Sequence, residues 1–266
     1  MLRFTMHFAC SRISDMRIGF LGTGTITSAV VTGIAADAHT ITISRRNPNR
    51  STDLAARFGN VSVAENQQVV SQSDLILVGL MAQTAREILP TLTFRPDQIV
   101  ASFMADMPLA ECAALITPAK AEAIVIPFPA IAHGGSPVLI CPPSRVLAQV
   151  FGVSNHVVPL TNETALTTYM AAQALLSPVA KLLAETADWM ATRTGDQAGA
   201  ERFLRILIGG ALTAANYNQP SALRALLNDL NTEGGLNAEL REFFAAKGVF
   251  DELIQGLDQL ERRLKL

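Results

Sequence analysis

Residues 17–34 of this 266-residue chain read RIGFLGTGTITSAVVTGI, and no other segment restricts the possible folds as much. An apolar, strand-like run ends in Gly22-Thr23-Gly24 and passes without a spacer into a helical pattern. Gly22 allows a tight turn, while Gly24 leaves its backbone open to close approach. The amides of Thr25 and Ile26 and the positive end of the following helix would then face an anion. Thr27 stands where a third glycine is usual, so the pattern is G-x-G-x-x-T. After the first strand of a βαβ array, a turn of this kind is the context in which a dinucleotide lays its diphosphate on the helix; the alternative is a plain structural turn.

The following residues supply that array. Strand-like runs at 17–21, 40–44, 75–80, 98–103, 123–127, 138–141 and 156–160 alternate with helical patterns at 27–36, 51–58, 67–71, 84–89 and 109–115. This alternation predicts seven strands in one open, doubly wound parallel sheet, a Rossmann domain spanning 16–160. Beyond Leu160 the strand signals stop. Thr161 or Asn162 can cap a long helix that runs to residue 193 and ends at Gly195. Its stretch from 164 to 180 carries no charge, which predicts burial on most faces. A second helix over 197–216 and shorter ones to 266 follow, with breaks at Pro220 and Gly234-Gly235. The expected class is α/β: a Rossmann sheet followed by an all-helical dimerisation domain over 161–266.

Composition narrows the partners. A hydrophobic fraction of 49% with 17% charged residues is rich for a monomer, so part of the apolar surface is expected in the interface of a homodimer. A net charge of -2 gives no basic field for a nucleic acid, so the expected partner is a small-molecule substrate. Cys10, Cys112 and Cys141 lie far apart, show no metal-ligand spacing and cannot all pair, which fits a reducing, cytoplasmic setting. No apolar run reaches the roughly 18 residues of a membrane span. Residues 1–15 lack the apolar core of a signal peptide, precede Met16, and are expected to form a disordered tail or to follow a misassigned start.

The second strand-like run selects the cofactor. NAD-binding chains place Asp or Glu about 20 residues beyond the glycines, on the ribose 2′-hydroxyl. This chain has Ser44-Arg45-Arg46-Asn47 there. Two planar, permanently charged guanidinium groups and a hydroxyl suit the 2′-phosphate of NADP(H); otherwise the arginines only face solvent.

With these residues placed, the chain resembles the pyrroline-5-carboxylate reductase family and related NADP-dependent oxidoreductases, over nearly its whole length from Met16. GFLGTGTITSAVVTGI is similar to that family's GFIGAGNMA segment, and SRRNPNRSTDLAARFG to its second-strand region. The resemblance puts Asn66, beside Glu65, where the family has an asparagine near the adenosine phosphate. SDLILVGLMAQ resembles ADVVILAVKPQ, whose backbone lines the nicotinamide side; this implies cofactor contacts at Leu80 and Met81, with Gln83 kept. IVIPFPAIAHGG is similar to MPNTPALVGEG, keeping Pro129 and Ala130 but lacking the asparagine. Of SGSGPAY, only Ser177-Pro178 survive in ALLSPVA. NTEGGLNAEL resembles the SPGGTT loop, with Gly234 and Gly235 kept and Asn237 at the second threonine. Family enzymes hold the substrate carboxylate with that loop and support protonation of its ring nitrogen. The resemblance thus implies substrate contacts at Pro129, Ser177, Gly234 and Gly235, and a role for Asn237 in the reaction.

The activity implied is NADPH-dependent reduction of a C=N bond in a small cyclic imino acid, pyrroline-5-carboxylate being the best single candidate. Hydride transfer to an iminium asks the protein mainly for orientation and exclusion of water. Asparagine can hold a hydrogen bond but is no proton donor. The Gly234-Gly235 amides form either a carboxylate nest or an ordinary helix start. Lys181 is either a general acid for a ketone substrate or the point where the helix emerges into water. His133 lies in a loop near the expected cleft, and Tyr169 and Gln173 share a helix face that is either pocket or packing. A carbonyl reductase of the same architecture and a non-enzymatic NADP-sensing module remain the rivals.

Overall fold

Ile18, Phe20 and Leu21 are fully buried, as a strand covered on both faces requires. A computed structural model of the chain describes residues 16–214, 221–232 and 234–264. The chain begins β1 (Arg17–Leu21), α1 (Thr25–Ile34), β2 (Thr40–Ser44), α2 (Pro48–Arg57), β3 (Val61–Ala64), α3 (Asn66–Gln72), β4 (Leu75–Val78) and α4 (Ala82–Ile88). It continues through β5 (Ile99–Ser102), α5 (Leu109–Leu115), β6 (Lys120–Pro127), β7 (Pro137–Cys141), α6 (Arg145–Phe151) and β8 (His156–Pro159). The eight strands form one sheet in the order β3-β2-β1-β4-β5-β6-β7-β8. In β4 the side chains alternate between two cores: Leu75 and Leu77 join Ile18, Phe20 and Ile41 on one face, whereas Ile76 and Val78 join Leu21, Val69 and Val70 on the other. This is the two-residue period of a strand between helical layers.

The sheet has eight strands, not seven, because Val61–Ala64 pairs in parallel with β2. Its signal in the sequence is weak: it is four residues long, lies at the sheet edge and buries only Val61. The sheet is not wholly parallel, since β7 runs antiparallel to β6. Their connection is residues 128–136, built on a single-turn helix at Pro129–His133, and a parallel crossover needs a dozen or more residues. The helix at Arg145–Phe151, capped by the Ser144 hydroxyl accepting from the Leu147 amide, was also unforeseen.

Beyond β8 the chain is helical: α7 (Glu163–Ala172), α8 (Leu176–Thr194), α9 (Gln197–Ala214), α10 (Ala222–Asp229), α11 (Leu236–Ala246) and α12 (Val249–Leu264). The described residues divide into two compact units at Leu166/Thr167. The single long helix expected to end at residue 193 is instead α7, a short tight turn at Gln173–Leu175, and α8. Pro178 accounts for the break: it lacks an amide to donate and its ring clashes with the carbonyl four residues back, so it is placed in the first turn of a new helix. Gly195 does end α8, with φ of 74°. Burial on most faces is not found within one chain. Ala187 is the buried residue of α8, packing with Ala200 and Leu204 of α9, whereas Leu176 is 76% and Trp189 58% exposed. The break expected at Pro220 and the end of the second helix at 216 lie outside the described residues, as do residues 1–15. Among the described residues no helix is long and apolar enough to cross a membrane.

Candidate functional site

The order β2-β1-β4 reverses chain direction across the sheet at β1, and at such a switch point the loops beyond the strand ends diverge and leave a crevice. The turn after β1 occupies it. Gly22 has φ of 96°, and a Cβ there would lie 2.4 Å from the Gly79 carbonyl oxygen, so conformation and space both demand glycine. Its amide donates to the buried Ser44 Oγ at 2.8 Å. Thr23, also buried, donates through its hydroxyl to the Ser44 carbonyl at 3.2 Å and accepts from the Asn47 amide at 3.2 Å. Ser44 and Thr23 therefore brace the turn from inside. The hydroxyl expected to meet a phosphate at Ser44 is engaged by the protein itself.

Gly24 is the residue before α1, no side chain caps this helix, and its first turn holds no acidic residue. Its positive end is left to an external anion. A Cβ on Gly24 would meet nothing within 4 Å, so the protein's own packing does not demand glycine there and the backbone is open to approach. Thr27, at the third fingerprint position, is buried and packs on Gly79 just beyond β4, where an added Cβ would stand 2.1 Å from Thr27 Oγ1. The close approach of α1 to the sheet, usually secured by a glycine on the helix, is secured here by a glycine on the facing strand end.

The arginines line the same edge. Arg45, beyond β2, is 64% exposed and lies 3.6 Å from a Glu65 carboxylate oxygen. Arg46 reaches across to donate to the Thr84 hydroxyl of α4 at 3.3 Å. Arg50 of α2 was not foreseen in the sequence; it donates to the Thr25 hydroxyl, on the first residue of α1, at 2.9 Å. Asn66 opens α3 behind a Glu65–Gln68 capping box. Leu80 and the exposed Met81 follow β4 and lead into α4, and the exposed Pro129 follows β6. Because β1, β2, β4, β5 and β6 run parallel, all these residues share one edge of the sheet. The turn, the uncapped helix and the arginines fit a phosphorylated dinucleotide.

The remaining candidates belong to the second unit. Ser177 is exposed in the first turn of α8. Lys181 is 73% exposed and ion-paired with Glu185, which raises its pKa through the hydrogen bond and the opposite charge. That direction is the reverse of what a general acid working near neutrality requires. Gly234 has φ of 68°, and the Gly235 amide donates to the Thr232 carbonyl at 2.9 Å, so one of the two amides of the expected nest is already engaged. Gly235 precedes α11, whose first turn contains Asn237 and Glu239. Burial pushes the Cys112 thiol up to about 11, which removes it as a nucleophile. Among the described residues, no His, Cys, Asp and Glu cluster could hold a metal.

Comparison with known proteins places this geometry. Residues 17–106 match a family model described as NADP oxidoreductase, coenzyme F420-dependent. No curated protein sequence matches the chain. Among solved structures, 1-pyrroline-5-carboxylate reductase from Streptococcus pyogenes is 17% identical with a TM-score of 0.76, covering 94% of this chain and 98% of that one. The Plasmodium falciparum pyrroline carboxylate reductase, solved with NADP bound, is 13% identical with a TM-score of 0.76 and coverage of 94% and 97%. A reductive aminase from Aspergillus terreus is 18% identical with a TM-score of 0.53 and coverage of 77% and 75%. The chain thus has the fold of these reductases: a Rossmann-like sheet followed by helices.

Proposed function

We propose that the protein is an NADPH-dependent reductase of a C=N bond in a small cyclic imino acid, with pyrroline-5-carboxylate as the first substrate to test. The observation that carries this reading is the braced Gly22–Gly24 turn under an uncapped helix, with Arg45 and Arg46 at the neighbouring strand end. Bound there, NADPH would supply the hydride. The chain's own work is to hold and orient. Amides at Gly24, Thr25 and Ile26 take the diphosphate, Arg45 and Arg46 the 2′-phosphate, and the backbone at Leu80 and Met81 borders the nicotinamide. Pro129, Ser177 and the Gly234-Gly235 loop are assigned to the substrate, and Asn237 to a hydrogen bond that orients it. The proton for the ring nitrogen then comes from solvent, since an amide cannot give one up.

An imine and a 2-keto acid differ in their need for a proton donor, and Lys181, exposed and paired with Glu185, is the residue whose replacement separates them. Steady-state assays with NADPH against cyclic imines and 2-keto acids are expected to show turnover on the imines, reduced by less than about threefold in Lys181→Met, a surface change. A preference for keto acids with Lys181 essential would overturn the reading. Tight NADPH binding without turnover on any member would favour a sensing module instead.

We further propose that the helical unit pairs with a second copy. It exposes Leu176 at 76%, Ile206 at 68%, Leu240 at 59% and Trp189 at 58%, more apolar surface than a monomer usually leaves in water. Multi-angle light scattering is expected to give twice the 28.4 kDa chain mass; a monomer at micromolar concentration would count against pairing.

A further inference from the structure

We propose that Asp106 is the carboxylate that receives the cationic nitrogen of the substrate, an iminium ring. The inference rests on the reductase reading above and adds to it a residue and the charge the substrate must carry. Across the sheet edge the Gly79 amide donates to the Leu21 carbonyl at 2.8 Å and the Phe103 amide to the Val78 carbonyl at 2.9 Å, so the ends of β1, β4 and β5 stand side by side. With the adenosine phosphate read beyond β2, the diphosphate falls at β1 and the nicotinamide on its far side, over the ends of β4 and β5. Beyond them β6 rises as a wall. Ser102, the last residue of β5, pairs with Ile124, and residues 125–127 run on past it, paired with β7. Three further residues carry that wall about 10 Å beyond the end of β5. The floor between the glycine turn and the wall consists of residues 79–81 and 103–108.

The loop after β5 is anchored on both sides of its charge. The buried Ser102 hydroxyl accepts from the Met104 amide at 3.0 Å, and Met104 and Met107 are buried in the core shared with α4 and α5. At the far end the Leu109 amide donates to a Glu163 carboxylate oxygen at 3.1 Å. Ala105 and Asp106 are the exposed residues between these anchors. Arg86 of α4 feels the Asp106 charge, but its guanidinium donates to Glu111, at 2.6 and 3.2 Å, and among the described residues Asp106 forms no ion pair. Two carboxylates against one guanidinium leave a negative charge over. The rest of the floor is apolar: Leu80 and Met81, the latter 73% exposed, with the half-buried Phe128 following the wall. A carboxylate rimmed by apolar side chains complements an organic cation, and an uncharged carbonyl gains nothing from it. In the iminium the nitrogen already holds its proton, taken from solvent beforehand. As hydride reaches the ring carbon, the C=N π pair becomes the nitrogen lone pair and the N–H bond is kept. Asp106 therefore captures the cationic form and transfers no proton.

Two rings of one size isolate the charge. Calorimetric titration of the whole chain, saturated with NADPH, uses pyrrolidine, which is protonated at neutral pH and already reduced, and tetrahydrofuran, its uncharged counterpart. In Asp106→Asn, pyrrolidine is expected to weaken about five- to tenfold, the loss of one partly exposed charge-assisted contact, and tetrahydrofuran to change by less than about twofold. Asp106→Glu keeps the charge and is expected to stay within about threefold of the native chain. Asp106 is exposed and its loop is held by Met104 and Met107, so both variants are expected to keep native circular dichroism. Absence of pyrrolidine binding by the loaded native chain, or equal binding by Asp106→Asn, would overturn the assignment and leave the cofactor reading intact. A loss of NADP+ affinity alone in Asp106→Asn, with pyrrolidine unchanged, would overturn it too, since the carboxylate would then face the oxidised nicotinamide. If the native chain took up no NADPH, the dinucleotide reading would fall and this proposal with it.

Discussion

Replacing Arg45 and Arg46 together by alanine is expected to weaken NADPH by about 10- to 100-fold and NADH by no more than about twofold. A charge-assisted hydrogen bond contributes about 1.5–3 kcal/mol, and two such groups would exceed a hundredfold if fully desolvated. They are not: Arg45 is 64% exposed and already faces Glu65, so solvent and the neighbouring carboxylate discount the gain. The difference between the two cofactors should shrink as salt rises, because exposed charges are screened over about 8 Å at physiological ionic strength. Fluorescence titration with each reduced cofactor at two ionic strengths measures both effects. Equal weakening of NADPH and NADH would mean that the pair does not read the 2′-phosphate.

Gly79→Ala is expected to cost about 2–4 kcal/mol in urea unfolding, and Thr27→Ala introduced with it should restore most of that loss. The added methyl group would lie 2.1 Å from Thr27 Oγ1 but 3.5 Å from Thr27 Cβ. The clash is thus with the hydroxyl alone, and alanine at position 27 leaves an ordinary contact. Overpacking a close-packed interior costs about 1–3 kcal/mol, occasionally more, and both residues lie where α1 crosses onto the sheet. Thr27→Ala by itself should be mild, about 1 kcal/mol. A double-mutant cycle with no coupling between the two positions would refute the contact. Because Gly79 also faces Gly22, whose added Cβ would meet the Gly79 carbonyl oxygen at 2.4 Å, the single variant should weaken NADPH binding as well.

The elements that were legible are those whose signals are local. Arg17–Leu21, Thr40–Ser44 and Leu109–Leu115 have the boundaries their patterns predict, since each carries its hydrophobic period in its own residues and needs no distant residue to define it. Val61–Ala64 escaped because an edge strand of four residues with a half-exposed face looks like loop until β2 pairs with it. The direction of β7 escaped for another reason: a strand's own sequence does not state which way its neighbour runs. Of the site, Gly22, Gly24, Arg45 and Arg46 could be read from spacing alone. Arg50 and Gly79 could not, since each matters through a contact with a residue many positions away, Thr25 or Thr27.

From its residues alone the chain specifies a nucleotide-binding βαβ start, the arginines beyond the second strand and a helical second half, because these follow from hydrophobic period and from what glycine and arginine can do chemically. Only the tertiary structure decides how those groups are used. Packing of α2 beside the first turn sets Arg50 on Thr25, and β2 brings Ser44 under Gly22, which turns its hydroxyl inward. The close approach of α1 to β4 moves the demand for a small residue from position 27 to position 79. Distances between residues far apart in sequence exist only after folding, and the chemistry of this site depends on them.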